Sequence, residues 1–397
     1  MNRKELIQMA RRNLEHVKAG SVDQAVDVHR VPSAHYVDDD RWHREMELIF
    51  RRLPLVFAFS AEFREVGDYR SMNLAGVPVL LTRASDGTMR AFLNVCRHRG
   101  AIVAKEGSGN ASRFICPYHA WSYDNKGSLL GINNEKDFGT IDKKCHGLTP
   151  LPVFERAGLI WGVLTPKCSI DFDRFLGGYD ELLESLGLAD THLVGRQVVD
   201  GPGWKVAYDG YLDFYHLPIL HRESFGPDMP SDALYDAYGP HQRVSMPNPG
   251  LLELDSIPED EWPLEQIIGG VWTIFPHISI ADFDAGGKLF MVSQLIPGDT
   301  PDESKTIQNF LAIDEPTPES QKLVEEQMAF LLEVVRDEDY ATGKQIQNAI
   351  KSGSTEDVLF GRNELGGQRF HRWVDAILET DDADLDDLFT RGIVPAP

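Results

Sequence analysis

Two short segments of the sequence each pair a cysteine with a histidine at close spacing. The first is a C-x-H motif at residues 96–98, the second is a C-x-x-H motif at residues 116–119, and seventeen residues separate them. Two thiolates and two imidazoles can bind zinc, although zinc sites usually pair cysteine with cysteine and histidine with histidine. They can also bind a [2Fe–2S] cluster with two cysteines on one iron and two histidines on the other. Because each segment supplies one ligand of each type, each can bridge both irons, and the pattern favours the cluster. The predicted ligands are Cys96, His98, Cys116 and His119.

A second group of candidate ligands lies in residues 204–221, which contain Asp213, His216 and His221. Two imidazoles and one carboxylate on one face of a ferrous ion leave positions open for oxygen and substrate. Two histidines spaced five residues apart are more often structural, so this segment alone is a weak signal. On an ideal helix they would lie roughly 140° apart. We therefore predict a helix that kinks at Pro218 or contains a wider turn, which would bring both rings to one metal.

The carboxylate ligand has to come from elsewhere in the chain, and three neighbouring acidic residues compete for the role. Asp337, Glu338 and Asp339 all lie in residues 318–351, a region with helical periodicity. Only Asp339 shares a helix face with a clear series of apolar positions. A carboxylate on an apolar face needs a partner such as a metal, so Asp339 is the predicted third ligand, and a solvated acidic turn is the alternative. The apolar positions are Gly343, Ile346 and Ile350.

Together these motifs resemble the large (alpha) subunit of the ring-hydroxylating Rieske non-haem iron oxygenases, over nearly the whole chain. The iron motif of that family, N-W-K-x-x-x-E-N-x-x-D-x-Y-H-x-x-x-x-H, is followed from Trp204 to His221. The family's V-x-x-E-D motif, with a glutamine eight residues later, is similar to the segment from Val335 to Gln347. The sequence departs from the family pattern at Gly203, Asp209, Gly210 and His277.

The resemblance implies two iron centres, a Rieske [2Fe–2S] cluster and a mononuclear Fe(II) bound by His216, His221 and Asp339. It implies that a separate ferredoxin or flavin reductase delivers electrons from NAD(P)H. It implies that O2 is used to hydroxylate a small organic substrate, most simply by cis-dihydroxylation of an aromatic ring. It also implies a homotrimer, with or without a small beta subunit. There, one oxygen of Asp213 would orient His216 while the other stays free to reach toward His119 of the partner subunit.

The periodicities of the remaining sequence favour an α+β fold with helical spacing at both ends of the chain. Short strands separated by tight turns fill residues 56–95, and longer strand-like runs over residues 270–313 predict an antiparallel sheet. Residues 222–268 have little periodicity and predict a long loop, either a lid or a connector. With the resemblance, three parts are expected. They are residues 1–43, an N-terminal helix and arm packed on the catalytic domain; residues 44–166, the all-β Rieske domain; and residues 167–397, the helix-grip catalytic domain.

The composition excludes several classes of protein. A chain of 397 residues with 42% hydrophobic and 25% charged residues fits a globular protein of two domains. The net charge of −23 argues against binding to nucleic acid or to anionic membranes. No apolar run is long enough to span a membrane, and the N-terminus lacks the apolar core of a signal peptide. Four cysteines are too few for a disulfide scaffold, and the two in the motifs must remain thiolates, so the cytoplasm is the expected compartment.

Three alternatives remain open from the sequence. A monooxygenase or demethylase of a small amine or methoxy compound would carry the same iron ligands as a dioxygenase. A Rieske electron carrier would have the cluster and no second iron, and a structural zinc protein would have neither. The aromatic and aliphatic candidates for a substrate pocket, each of which can equally be ordinary core, are Phe214, Leu217, Phe225, Trp272, Phe283 and Phe290.

Overall fold

The computed structural model describes residues 2–393, which fall into two compact units. The smaller unit contains residues 50–169, and the larger unit contains the segment before residue 50 together with the segment from residue 170 on. The domain divisions expected near residues 44 and 167 remain predictions. No helix within residues 2–393 is both long enough and apolar enough to cross a membrane.

The N-terminal segment begins with helix α1 (Arg3–Ala19). The Asn2 side chain accepts a hydrogen bond from the N–H of Glu5 and so caps the first turn, while Gly20 ends the helix in the left-handed region at φ +59°. The buried face of α1 includes Leu6 and Leu14. The elements that follow it are β1 (His29–Pro32), α2 (Ala34–Val37), α3 (Asp39–Glu45) and a π-helical turn (Met46–Phe50).

The smaller unit consists mainly of short antiparallel strands. The strand order is β10-β5-β4-β3-β6 in one sheet, β11-β12-β2 in a second and β7-β8-β9 in a third. The candidate cysteines Cys96 and Cys116 belong to its buried core, beside Trp121 and Tyr123. Its elements are β2 (Leu55–Phe59), β3 (Asp68–Leu74), β4 (Val77–Arg83), β5 (Met89–Leu93), β6 (Gly107–Asn110), β7 (Arg113–Ile115), β8 (Ser122–Asp124), β9 (Leu129–Gly131), α4 (Glu135–Phe138), β10 (Pro150–Leu151), β11 (Val153–Arg156) and β12 (Leu159–Gly162).

The larger unit is built on one antiparallel sheet with helices packed against it. Within the described chain this sheet has seven strands in the order β13-β19-β18-β17-β16-β15-β14, and β1 pairs separately with β20. The predicted α+β class is confirmed. The elements are α5 (Phe172–Leu176), α6 (Tyr179–Leu183), β13 (His192–Pro202), α7 (Trp204–Asp209), α8 (Leu217–Leu220), β14 (Leu234–Tyr238), β15 (His241–Ser245), α9 (Leu264–Ile267), β16 (Val271–Ile274), β17 (Ile278–Asp284), β18 (Lys288–Pro297), β19 (Glu303–Ala312), α10 (Pro318–Glu333), α11 (Tyr340–Lys351), β20 (Asp357–Phe360), α12 (Leu365–Leu378) and α13 (Leu385–Arg391).

The long loop predicted for residues 222–268 is wrong in its middle part. Strands β14 and β15 form a hairpin there, with Tyr238 opposite His241, and they complete one edge of the large sheet. The strands are short and carry Asp236, His241 and Arg243 among their apolar residues. No simple alternation of polar and apolar positions therefore predicts them. The hairpin matters for the site because β15 ends at Ser245, which lines the cavity described below.

Candidate functional site

The two cysteine-histidine motifs fold into loops of the same geometry. The N–H of Gly100 donates to the carbonyl of Cys96 at 3.0 Å, and the N–H of Ala120 donates to the carbonyl of Cys116 at the same distance. Gly100 and Ala120 both have positive φ, +77° and +56°. A left-handed residue at this position turns the chain back on itself, which brings the cysteine and the histidine of each loop to the same end.

The two cysteines of these loops are buried, and Cys96 has a hydroxyl beside its sulfur. The hydroxyl of Tyr123 lies 3.3 Å from the Sγ of Cys96 and accepts a hydrogen bond from the N–H of Arg97. Burial raises the pKa of the Cys96 thiol, while the Tyr123 hydroxyl partly offsets this by favouring the thiolate. A buried thiolate needs positive charge nearby, and a bound metal centre supplies it. These residues therefore fit an iron–sulfur cluster.

The two histidines of the loops face each other. The ring centroids of His98 and His119 are 4.7 Å apart, and the indole of Trp121 stacks on His98 at 5.1 Å with an interplanar angle of 8°. The Nδ1 atom of His119 is buried and has no hydrogen-bond partner among the described residues. A buried nitrogen with a free lone pair costs free energy unless it binds something. A metal ion satisfies that requirement.

The backbone around the second ligand set differs from the helix predicted for it. Helix α7 ends at Asp209, one 3₁₀ turn follows, and Asp213 is extended at φ −127° and ψ 126°. The Oδ1 atom of Asp213 accepts from the N–H of Tyr215, which turns the chain toward His216. Pro218 lies in the first turn of α8, where its missing N–H costs nothing. The chain is therefore broken before His216, and His216 and His221 stand at the two ends of the short helix α8, which Pro218 starts without kinking a longer one.

His216, His221 and Asp339 converge as a possible metal site. Each offers one ligand atom, and these atoms all lie within 4.8 Å of one another. The Oδ1 atom of Asp339 is 3.1 Å from the Nε2 of His221 and 3.7 Å from the Nε2 of His216. Two imidazoles and a carboxylate in this arrangement are consistent with mononuclear iron, with coordination positions left for other ligands.

Each of the two histidines makes a hydrogen bond to a carboxylate through Nδ1, the ring nitrogen that faces away from Asp339. The Nδ1 of His216 donates to Asp213 at 2.9 Å, and the Nδ1 of His221 donates to Glu338 at 2.6 Å. These bonds fix the tautomer that leaves the Nε2 lone pair free for a metal. Sequence reasoning treated Glu338 only as a competing ligand and missed this role. The expectation of a free second oxygen on Asp213 is also wrong, because that oxygen accepts the N–H of Tyr215.

Asp339 lies in a π-helical turn (Val334–Asp339) between α10 and α11. The wider turn changes the angular relation between Asp339 and the helix α10 before it. The apolar face predicted after Asp339 holds only in part. Gly343 and Ile350 are buried, whereas the side chain of Ile346 is 45% exposed. A π turn inside a longer helix commonly marks a functional position, and here it ends at the carboxylate that faces the two histidines.

A cavity of about 630 Å³ lies beside this ligand set. Its wall includes Phe214 and Leu217, which lie on either side of His216 in the sequence, and Phe225, whose ring packs 5.4 Å from that of His221. Trp272 and Phe290 are buried and are not part of this wall. The sequence candidates that line the cavity are Phe214, Leu217, Phe225 and Phe283.

The residues that depart from the family pattern lie in different local surroundings. A Cβ atom at Gly203 would lie 2.1 Å from the carbonyl oxygen of Pro301, so no larger residue fits, whereas a Cβ at Gly210 would meet nothing within 4 Å. Asp209 accepts a hydrogen bond from a buried tyrosine hydroxyl at 2.8 Å. His277 is fully buried, and desolvation lowers its pKa to about 3. It is therefore a neutral core residue.

Two family models match the chain. The Rieske [2Fe-2S] domain matches residues 54–152, and the ring hydroxylating alpha subunit (catalytic domain) matches residues 190–380. These matches cover both candidate metal sites.

Curated relatives are similar over part of their length. The chain is 33% identical to the carnitine monooxygenase oxygenase subunit of Acinetobacter baumannii over 48% of this chain and 52% of that protein. It is 32% identical to the anthranilate 1,2-dioxygenase large subunit of Burkholderia cepacia over 50% of this chain and 51% of that protein. The chain thus spans about half the length of the curated relatives it matches.

A solved structure extends the fold comparison to almost the whole chain. The structure of naphthalene 1,2-dioxygenase from Rhodococcus sp. bound to indole superposes with a TM-score of 0.74 at 23% identity, covering 96% of this chain and 100% of that one. At this identity the likeness concerns the fold.

Proposed function

Because the chain belongs to the Rieske oxygenase alpha subunits, we propose that it is the terminal oxygenase component of a system that hydroxylates an organic substrate with O2. Electrons from NAD(P)H reach it through a separate ferredoxin, a flavin reductase or both. The observation that supports this best is the cavity beside the His216, His221 and Asp339 set, in a chain that also carries the cluster loops. Pure electron transfer would require neither the second ligand set nor the cavity. The cysteine thiolates suit a cytoplasmic protein.

Each of the two ligand sets has its own proposed role. Cys96, His98, Cys116 and His119 bind the Rieske cluster, and His216, His221 and Asp339 bind the mononuclear iron. When both groups are bound, they supply electron storage and oxygen activation. The carboxylates of Asp213 and Glu338 keep the Nε2 atoms of the two histidines unprotonated and aimed at one point.

The residues of the cavity wall favour the binding of an uncharged substrate. Of its two charged residues, Arg243 is already paired with Asp236 at 3.0 Å and donates to the carbonyl of Ile267. The carboxylate of Asp282 lies 3.6 Å from the amino group of Lys288. Since burying an uncompensated charge costs free energy, a largely apolar aromatic compound fits this wall best, and cis-dihydroxylation of its ring is the proposed reaction.

Oxidation of a quaternary or methoxy-substituted compound by a monooxygenase is the second candidate. The similarity to the carnitine monooxygenase oxygenase subunit supports it. The aromatic rings of Phe214, Phe225 and Phe283 in the cavity wall could also contact a quaternary ammonium group through their π faces. The two candidates share their iron ligands, so product analysis has to separate them.

We further propose that the active assembly is a homotrimer, with or without a small beta subunit, in which electrons cross between subunits. Asp213 lies on a surface with two exposed apolar neighbours, Tyr215 (60% exposed) and Ile219 (79% exposed). At the cluster loops, the exposed ring of Tyr118 packs 3.8 Å from that of His119. Exposed apolar side chains beside both centres support a contact between subunits. There, a carboxylate oxygen of Asp213, which can accept more than one hydrogen bond, meets His119 of the partner subunit.

The test uses the purified, iron-loaded protein with a ferredoxin and a reductase. Iron analysis should give about three irons per chain, two in the cluster and one mononuclear. Oxygen and NADH consumption is then measured with aromatic acids, polycyclic aromatics and quaternary amines. Consumption coupled to a hydroxylated product supports the proposal. An electron carrier would give about two irons and no coupled product, and a zinc protein would lack the visible spectrum of the cluster.

A further inference from the structure

One wall of the cavity is formed by two elements that lie far apart in the sequence. Helix α1 contributes Ala10 and Asn13, and the chain just after β15 contributes five residues. We name residues 246–262 the cover segment. Its residues Asn248 and Pro249 line the cavity and are also exposed, so this segment separates part of the cavity from solvent.

The cover segment is not attached to the large sheet by backbone hydrogen bonds. Among the described residues no strand pairs with it, and its backbone N–H groups donate only within the segment, for example from Leu251 to Asn248 and from Ile257 to Leu254. The buried indole of Trp262 also donates within the segment, to the carbonyl of Leu254 at 3.1 Å. A movement of the whole segment would therefore keep these internal bonds and break none of the sheet.

The cover segment is attached instead to helix α1, through basic side chains. The Nε of Arg11 donates to Glu259 at 2.8 Å, and the Nζ of Lys18 donates to Asp255 at 2.6 Å. Arg3 of the same helix donates to two backbone carbonyls of the segment. Arg11 and Lys18 are seven residues apart, close to two turns, so they lie on one side of α1. Both ion pairs are about half exposed, and such pairs are individually weak and screened by salt.

We propose that the cover segment is a lid over the cavity and that helix α1 is the latch that holds it closed. This inference rests on the proposed function, because it takes the cavity as the substrate pocket. The two ion pairs hold the lid closed, and because each is weak, they can break and re-form without any unfolding of the sheet. An open lid admits the substrate beside Asn248 and Pro249, and a closed lid excludes water from the cavity.

The experiment measures hydrogen exchange of the backbone amides in the iron-loaded protein, with and without naphthalene, while equilibrium dialysis shows how much naphthalene is bound. Exchange follows the population of the open form. Bound naphthalene should slow exchange in the cover segment and in α1. Without naphthalene, the combined variant Arg11→Glu with Lys18→Glu should exchange about fivefold faster in the cover segment than the wild type, because two attractions become repulsions.

Two matched variants isolate the latch. Adding Glu259→Arg and Asp255→Lys to the combined variant restores both pairs with reversed polarity, so exchange should return to the wild-type rate. This swap keeps any effect of the new glutamates on α1 itself. Lys4→Glu reverses the charge of an exposed lysine of α1 that makes no ion pair within the described residues, and it should leave exchange unchanged. If the combined variant does not fold, the wild type decides. In about 1 M NaCl, where the screening length is about 3 Å, exchange in the cover segment should rise relative to that of β18.

Three results would each overturn the proposal. They are an unchanged exchange rate in the combined variant, no recovery in the charge-swapped variant, and bound naphthalene that leaves exchange in the cover segment unchanged. If naphthalene does not bind at all, the apolar substrate of the proposed function is refuted, and the exchange rates of the variants alone decide whether the latch exists.

Discussion

Replacing Glu338 by glutamine provides a direct test of how the mononuclear site is built. The carboxylate of Glu338 accepts from the Nδ1 of buried His221 at 2.6 Å and also accepts from the hydroxyl of Ser224 at 2.8 Å. Glutamine keeps the length and one acceptor oxygen but removes the negative charge. Alanine removes the acceptor as well, so His221 is then free to adopt the wrong tautomer or rotate.

The expected size of the effect follows from this contact. A hydrogen bond to a charged group contributes about 1.5–3 kcal/mol, roughly twice as much as a neutral one. If Glu338→Gln loses about half of that contribution, the affinity for Fe(II) falls by roughly three- to tenfold, since 1.4 kcal/mol corresponds to a factor of ten. Glu338→Ala should lose roughly a hundredfold, the upper end of the range seen when such orienting carboxylates are removed.

The assay is competition for Fe(II) between the protein and a chelator, read as the mononuclear iron retained per chain while the cluster absorbance stays constant. Asp337→Asn is the matched control, because Asp337 is the adjacent residue on the same π turn and its carboxylate pairs with Arg336 instead of a histidine. It should retain iron like the wild type. If Glu338→Gln and Glu338→Ala also retain iron like this control, the orienting role assigned to Glu338 is refuted.

Four further substitutions test other parts of the structure. His98→Cys should lower the cluster's reduction potential or lose the cluster, because a thiolate adds negative charge; an unchanged potential in a redox titration would contradict the ligand assignment. Asp213→Asn should keep both centres loaded while rapid-mixing spectroscopy shows cluster reoxidation slowed by orders of magnitude; reoxidation at the wild-type rate would contradict the electron bridge. Gly100→Ala should destabilise the smaller unit by about 1 kcal/mol in urea unfolding, because its φ of +77° disfavours a side chain. Burial lowers the pKa of His241 to about 4, so its stabilising effect is intact above about pH 6.5 and is lost as the pH falls toward 4; unfolding of His241→Gln should therefore depend less on pH over this range than unfolding of the wild type.

Local patterns made much of the fold predictable. The strands β2–β5 of the smaller unit occupy residues 55–93, close to the range 56–95 predicted for short strands, because each is a short apolar run between turns. The strands β16–β19 follow the predicted runs for the same reason. The hairpin β14–β15 was missed because its buried polar residues are stabilised by distant partners. Examples are His241, which contacts the carbonyl of Phe175, and Gln242, which donates to the carbonyl of Gly366.

The candidate site, like the fold, was predictable from the sequence only in part. His216, His221 and Asp339 were found because their residue types and motif positions are local, and the structure places their ligand atoms together. The backbone just before His216 and just before Tyr340 was not predictable from helical geometry. An extended residue at Asp213 and a π turn that ends at Asp339 both depart from the 3.6-residue period.

The carboxylates around the two histidines show why the missing part could not be read from the sequence. Asp213 is three residues from His216, so its contact was predictable from local geometry, although a turn rather than a helix face produces it. Glu338 is separated from its partner His221 by more than a hundred residues, and its neighbour Asp339 takes the ligand role. Two adjacent acidic residues on an ideal helix point about 100° apart, so they cannot be assigned until the π turn and the position of His221 are known. A pair of adjacent carboxylates, one facing the metal site and one behind the imidazole, is therefore a tertiary feature, and the comparison of Glu338 with Asp337 measures it directly.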